Sequence, residues 1–278
     1  MRHLFALAFI FIGFTSPILA QNATLIPPPQ GKSNLGKFYV FWGYNRSMYT
    51  TSDISVKGRG YDFTAYDVKA DDDPESFDPN IYLNILKLTI PQFNFRAGYY
   101  ISERASISMG WDHLKYRLNH QQTVNVDGDY VKNGETIHYD QEPIFLTNRF
   151  FHLEHTDGLN YVRINYDYSL PLIATQNKKI SLDAIVGAGL GPVLPWTDAV
   201  LDGEQFRAFL RPAGAGISTN LSVRLNIGGS FFLQSTGRVG AIKLIDVYIS
   251  EEIRGKQQFA FAEFNIVAGF TFGLKKVK

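Results

Sequence analysis

The sequence predicts an all-β chain: a closed antiparallel transmembrane β-barrel of eight strands, with ten strands as the alternative count. Three observations predict it. Four segments alternate apolar and polar residues with the period of a strand. The connections between eight readable strands alternate strictly between long and short. Beyond residue 20, no segment approaches the roughly eighteen consecutive apolar residues that a membrane-spanning helix needs.

Residues 1–20 read as an export signal. Arg2 and His3 make a short basic start, Leu4 to Phe14 an apolar stretch of eleven residues, and Pro17 interrupts the chain before Ile18-Leu19-Ala20. Cleavage after Ala20 would leave Gln21 as the new N-terminus. Residues 21–36, rich in Pro, Asn and Gln, read as a flexible lead-in. Residues 37–278 are then the barrel domain.

Charge and cysteine content exclude several classes. The chain has 27 Lys+Arg and 26 Asp+Glu, and Arg2 leaves with the signal, so the mature chain is formally neutral. A nucleic-acid binder would need a basic face. With no cysteine there is no disulfide, no thiol chemistry, no Cys-ligated zinc and no lipoprotein anchor. An exported chain of this kind must be held by a core or by a membrane.

The strands follow in order: about 37–48, 91–102, 104–118, 160–173, 179–193, 206–227, 230–247 and 257–275. Four carry the clearest alternation. Phe93, Phe95, Ala97 and Tyr99 oppose Gln92, Asn94, Arg96 and Gly98. Val162, Ile164, Tyr166, Tyr168 and Leu170 oppose Arg163, Asn165, Asp167 and Ser169. Ala215 to Leu225 and Phe264 to Phe272 repeat the pattern. One face is almost wholly apolar over roughly the 9–11 residues that cross a bilayer on a tilt. The other carries small residues and charges, which suits a polar lumen better than the solvent face of a sandwich.

Three connections are short: Ser102-Glu103-Arg104, Ala174 to Lys178, and Gly228-Gly229. Four are longer: 49–90, 119–159, 194–205 and 248–256. The pattern fits short periplasmic turns and long outer loops. Within the loops, residues 61–69 have strand composition. With a partner in the wall they would raise the count to ten. Otherwise they stand above the membrane, as does 121–139 with its hairpin dipeptides Asp127-Gly128 and Asn133-Gly134.

The last strand ends Gly269-Phe270-Thr271-Phe272-Gly273-Leu274. It is similar to the Gly-x-x-aromatic-x-hydrophobic core of the C-terminal signal read by the barrel-assembly machinery. Val267 stands where that signal usually has a polar residue, and Lys275 to Lys278 follow where many members stop. Over about residues 37–275 the chain resembles outer-membrane β-barrel proteins of Gram-negative bacteria, of an uncharacterised small-barrel type. Phe41-Trp42-Gly43-Tyr44-Asn45-Arg46, Trp111-Asp112-His113-Leu114-Lys115-Tyr116 and His155-Thr156-Asp157-Gly158-Leu159-Asn160 carry the same likeness. The resemblance implies an outer-membrane location reached through the periplasm. It also implies outer-membrane lipid and lipopolysaccharide as surroundings, and the assembly machinery as a partner during insertion. It implies no particular activity.

Candidate chemistry lies in four places. Arg96, Asp112, Arg163, Asp167, Asp183, Arg224, Arg238 and Glu263 all fall on the lumen face. In a lumen just wide enough for side chains they must pair or be hydrated, which predicts a plug of ion pairs. His152, Glu154, His155 and Asp157 place two imidazoles and two carboxylates within six residues near the outer rim, a pattern able to hold a metal or to move protons. A lipid A deacylase-like enzyme would pair the histidine with a serine two residues on, but Asp157 stands two after His155, with Thr156 between. Asp71-Asp72-Asp73-Pro74-Glu75, with Asp78, offers oxygens for calcium but lacks the EF-hand spacing. Gly187, Gly189 and Gly191 share the lumen face with Asp183 and make room there. Near Asp112-His113 the outward phase shifts by one, which a β-bulge or an exit from the bilayer would explain.

The expected function is therefore non-enzymatic: a plugged barrel with a structural or surface-interaction role, whose outer loops meet a protein partner. The alternatives are a lipid-modifying enzyme using the His155 region and a small-solute conduit. No cofactor, resident metal or nucleic-acid partner is expected.

Overall fold

The computed structural model describes residues 33–84, 86–87, 90–132, 134–177 and 179–273. The expected export signal (1–20), most of the lead-in (21–32) and the tail from Leu274 lie outside the described residues.

The chain is all β apart from one short helical turn among the described residues. β1 (Lys37–Tyr49) opens the wall. β2 (Ser52–Gly58), β3 (Tyr61–Val68) and the two-residue β4 (Ala70–Asp71) follow, then the helical turn α1 (Pro79–Tyr82). β5 (Phe93–Tyr100) and β6 (Ala105–Leu114) return to the wall. β7 (Arg117–Leu118), β8 (Thr123–Lys132), β9 (Glu135–Phe145) and β10 (Phe151–Glu154) fill the second long connection. β11 (Leu159–Ala174) and β12 (Ile180–Pro195) are wall strands, and β13 (Asp198–Leu201) and β14 (Glu204–Arg207) lie between them and the last three. Those are β15 (Gly214–Ile227), β16 (Phe231–Tyr248) and β17 (Arg254–Gly273).

Eight of these strands pair antiparallel in the order β1-β5-β6-β11-β12-β15-β16-β17, and β17 pairs back to β1. The ring closes without an edge, which is what lets a sheet stand in lipid with every wall amide bonded. Its outward side chains are the apolar halves of the alternating segments, among them Phe95, Met109, Ile164, Leu190, Ile217, Leu221, Ile266 and Phe270, all exposed. On β17 this face is apolar from Phe272 to Ala260, long enough to cross a bilayer on a tilt. Aromatic side chains band the ends. Phe38, Tyr99 and Phe272 cluster at the end with the tight turns, with ring centroids 4.8 and 6.1 Å apart. Trp42, Phe93 and Trp111 cluster on the other half of the wall, at 4.3 and 5.5 Å. The wall thus has the closure, polarity and aromatic girdles of a transmembrane barrel.

The shortest wall turn is Gly228-Gly229-Ser230, between the paired Ile227 and Phe231. Gly228 and Gly229 have φ of 65° and 85°, left-handed values that glycine adopts without strain.

Residues 61–69 do not enter the wall, so the ring has eight strands and not ten. β3 pairs with β2 and β8 instead, and β2 pairs with Arg254–Gln257, the part of β17 that extends past the wall. The result is a sheet β17-β2-β3-β8-β9 that rises from the rim. A second sheet, β14-β13-β10-β7-β4, faces it. Ile54, Val56, Phe63, Val124 and Val126 from the first pack with Leu118, Phe151, Leu153, Leu201 and Phe206 from the second in one apolar core. Phe63 meets Phe151 edge to face at 5.7 Å. The long connections are therefore a two-sheet head. The expectation that 206–227 is one wall strand is corrected accordingly. Glu204–Arg207 pair with β13 in the head, and the wall strand starts at Gly214, beyond Pro212. Two wall strands run on into the head, because β16 and β17 stay paired from Phe231↔Phe270 up to Tyr248↔Arg254, with one register shift between Leu244 and Val247.

β6 keeps its phase. Its register is unbroken against β5 to Asp112 and against β11 to Leu114, so neither a bulge nor a shift of the outward face occurs at Asp112-His113. The inward face simply changes from polar (Ser106, Ser108, Asp112) to apolar (Leu114, Tyr116) as the lumen reaches the head.

Packing at β12 gives a direct test. A Cβ at Gly191 would strike the Val162 carbonyl and Arg163 Cα of β11, whereas one at Gly237, on the outer face, meets nothing within 4 Å. Gly191→Ala should destabilise the barrel by about 1–3 kcal/mol, read as a lower urea midpoint for loss of the heat-modifiable folded band. Gly237→Ala should not shift it.

Candidate functional site

The lumen is filled in layers. At the tight-turn end Tyr39, Phe41, Tyr100, Phe232 and Val267 form an apolar cluster. The Arg224 guanidinium lies 4.2 Å from the Phe232 ring centroid, and its nitrogens donate to Gln234 Oε1 at 2.8 Å and Tyr100 Oη at 2.6 Å. Asp183, half-buried nearby, accepts from Asn226 Nδ2 at 2.7 Å.

Above this layer the charges meet. Arg163 Nε donates to Asp112 Oδ2 at 2.5 Å, and Arg238 Nη1 reaches the same oxygen at 3.0 Å and Glu263 Oε2 at 2.6 Å. Arg96 Nη1 pairs with Asp167 Oδ2 at 3.2 Å. The exposure of these six residues is 5 % or less. Asparagines complete the set: Asn94 Nδ2 donates to Asp112 Oδ1 at 2.6 Å and to Glu263 Oε1 at 2.9 Å, and Asn220 Nδ2 donates to Asp167 Oδ1 at 3.2 Å. The glycines of β12 make the room, since a Cβ at Gly187 or Gly189 would collide with the side chain of Asp167 or Asn165. Of the eight lumen charges named from the sequence, four form one bonded network around Asp112, and Arg96 and Asp167 pair beside it in the same layer. Arg224 and Asp183 sit below it. The asparagine donors were missed as partners, although Asn94 and Asn220 share a strand parity with Arg96 and Arg224.

At the head end Leu114, Tyr116, Tyr161, Val193, Ile242, Phe259 and Phe261 form a second apolar cluster. The ion layer therefore lies between two apolar layers. In such a low-dielectric setting each pair is strong and each unpaired charge costly.

The histidine segment divides. β10 turns Leu153 into the head core, and the next residue on that face, His155, is fully buried. Its Nδ1 lies 3.1 Å from Thr197 Oγ1 and its Nε2 3.4 Å from Gln257 Oε1. Burial pushes its pKa down to about 4. His155 thus sits inside the molecule rather than at an open rim, and Asp157 pairs with Arg207 instead. The four candidates therefore form no common site. On the opposite face of β10, His152 Nε2 lies 3.2 Å from Glu154 Oε2, and His152 Nδ1 lies 2.9 Å from Nε2 of His120. The His152 contact lowers the pKa of Glu154. Burial, with His152 and Arg117 nearby, lowers that of His120. His120 was missed because it lies 32 residues away and reaches His152 only through the pairing of β7 with β10. A lone loop histidine gives no signal of this.

The acidic run is dispersed. Asp72 accepts from the Ser47 amide at 3.1 Å and from Gln92, Asp73 pairs with Arg117 at 3.1 Å, and Glu75 with Lys115 at 2.8 Å. Asp78 caps α1, accepting from Asn80 N at 2.8 Å. Among the described residues no three metal-ligating side chains converge, here or elsewhere. His113 stacks on Phe93, with ring centroids 5.1 Å apart, and contacts Asn160 Oδ1 at 3.0 Å.

No family model matches the sequence, and no curated protein matches it. The solved structures similar to this chain are outer-membrane proteins. OprG from Pseudomonas aeruginosa is 11% identical, with 88% of this chain and 99% of that one covered, at a TM-score of 0.43. AlkL in lipid bilayers is 11% identical over 91% and 98%, at 0.42. Ail, the attachment invasion locus protein of Yersinia pestis, is 13% identical over 86% and 99%, at 0.32. These scores lie below 0.5, and the barrel stands on this chain's own ring of strand pairs.

Two outcomes follow. Asp112→Asn should cost about 3–5 kcal/mol, because two buried arginines lose their shared carboxylate. A loss below about 1 kcal/mol in urea unfolding would contradict the ion layer. For His155, a folded pKa of about 4 lies below the ordinary 6.5, so folding loses stability as pH falls from 6.5 to 4, by about 3 kcal/mol in all. His155→Gln should remove that share of the acid sensitivity, measured as the difference in unfolding midpoint between pH 7 and pH 4.

Proposed function

We propose that this chain is a bacterial outer-membrane protein whose rigid, acidic head serves as a surface-interaction platform for cationic partners, carried on a barrel that does not conduct. The observation that carries this reading is the head: two sheets around a core of their own, built from the connections that most barrels leave as loops.

Several features support the location. The apolar belt and the aromatic girdles suit outer-membrane lipid and lipopolysaccharide as surroundings. Phe77, Leu83, Leu86 and Ile90, around α1 and exposed beside the outer wall, suit contact with the membrane interface. The signal-like start and the C-terminal pattern suit export and the barrel-assembly machinery. With the tight turns on the periplasmic side, the head faces outward.

Charge supports the choice of partner. The four long connections, between the ends of the wall strands, carry 20 acidic and 10 basic residues in a chain that is nearly neutral overall. Glu135, Asp140 and Glu142 lie on β9, which ends its sheet with one side unpaired among the described residues. An open edge can accept an extended segment by strand addition, and its acidic side chains disfavour a second copy of itself while favouring a cationic strand. The ion layer between two apolar layers supports a plugged lumen.

The test is binding of labelled decapeptides to the refolded barrel in detergent. An alternating Lys-Val peptide should bind, weaken as salt rises, and weaken further in a Glu135→Gln/Asp140→Asn/Glu142→Gln variant. Equal binding of an alternating Glu-Val peptide, or no effect of the triple variant, would overturn the reading of the head. In planar bilayers the barrel should give no stable unitary steps; reproducible single-channel conductance would overturn the plug.

A further inference from the structure

We propose that His120 and His152 form a binding site for a divalent transition metal on the head, with Glu154 as the carboxylate that orients it. The inference is independent of what the β9 edge binds.

The argument starts from hydrogen positions. Glu154 Oε2, 3.2 Å from His152 Nε2, is acceptor-only as a carboxylate, so His152 Nε2 carries the hydrogen. In the neutral ring, His152 Nδ1 is then a lone pair. It faces Nε2 of His120 at 2.9 Å, so without metal that nitrogen is the donor. The remaining nitrogen, His120 Nδ1, is buried and has no hydrogen-bond partner. Two imidazoles thus face each other nitrogen to nitrogen, with one hydrogen between them, and a carboxylate fixes the tautomer of one.

A metal ion can take the place of that hydrogen. The His120 proton moves from Nε2 to Nδ1, so both facing nitrogens present lone pairs and no net proton is released. Zinc–nitrogen bonds of about 2.0–2.1 Å in tetrahedral geometry set the nitrogens roughly 3.4 Å apart, so the rings need to part by only about 0.5 Å. The arrangement of Glu154, His152 and the metal would be the carboxylate–histidine–metal pattern in which the outer hydrogen bond sets ring orientation and raises ligand basicity.

The remaining coordination positions are open. Apart from Glu154, which contacts His152 Nε2, no further His, Asp or Glu converges on the pair among the described residues. The rings line an open hollow of about 280 Å³, shared with Arg117, Asn119, Asn148 and Glu154. Water or an exogenous ligand would complete the shell there. An imidazole-only pair suits zinc, copper or nickel over magnesium or calcium, with copper(II) the tightest.

The test uses tag-free, refolded full-length barrel at pH 7.5, titrated with Zn²⁺ and Cu²⁺ alone by calorimetry, with Cu²⁺ paramagnetic resonance as a second readout. Expected are one ion per chain, imidazole nitrogen couplings, and at least tenfold weaker binding for His120→Gln and for His152→Gln. Glu154→Gln should weaken binding about 10–100-fold with the stoichiometry kept. His138→Gln, an exposed histidine on β9, should change nothing. Metal-free melting of each variant guards against misfolding, and if one histidine variant unfolds the other decides. No binding, or binding that survives loss of either histidine in a folded variant, means the pair is only a structural hydrogen bond and overturns the proposal.

Discussion

An eight-stranded barrel has an interior just wide enough for side chains, and into that width this chain places a layer of three arginines and three carboxylates. Asp112 is the centre of the layer, because Arg163 and Arg238 both converge on one of its oxygens. Much of the lumen follows from the need to keep these charges paired. The glycines of β12 give up side chains so that Asp167 and Asn165 fit. The asparagines supply the donors that the carboxylates still need. The apolar layers above and below keep competing water at a distance, which strengthens the pairs and raises the cost of losing one.

The head depends on the barrel in turn. β16 and β17 cross from the wall into the head as one continuous hairpin, so the first head sheet grows from the wall's own hydrogen bonds. The second sheet has no wall strand and is held by side chains across the core, with Phe63 and Phe151 in contact. The same alternation serves both storeys. Within β17, inward residues are Glu263 and Asn265 at the ion layer, Phe259 and Phe261 at the apolar cap, and Gln257 beneath the head beside His155.

The wall was legible in the sequence because period-two alternation acts locally: each strand's lipid face and lumen face are written in its own residues. Parity alone set Arg96, Arg163 and Glu263 opposite continuous apolar rows, and all three are buried. What failed to show were long-range pairings. YDFTAYDVK has strand composition whether it joins the wall or the head, and only its partner, β8, decides. The candidate site failed for the same reason. His152, Glu154, His155 and Asp157 look like one cluster in a line of text, but a strand sends successive residues to opposite faces. His155 goes to the core, and His152 meets a histidine 32 residues away.

The β16–β17 hairpin joins head and barrel through unbroken strands, which should make them open together. Amide hydrogen exchange of the refolded protein, resolved by peptide, tests this most directly. Protection should run without a break along β16 and β17 from the ion layer into the head, with β2, β3, β10 and β13 exchanging on the slow time scale of the wall. Exchange of those head strands within seconds, while the wall stays protected, would contradict it.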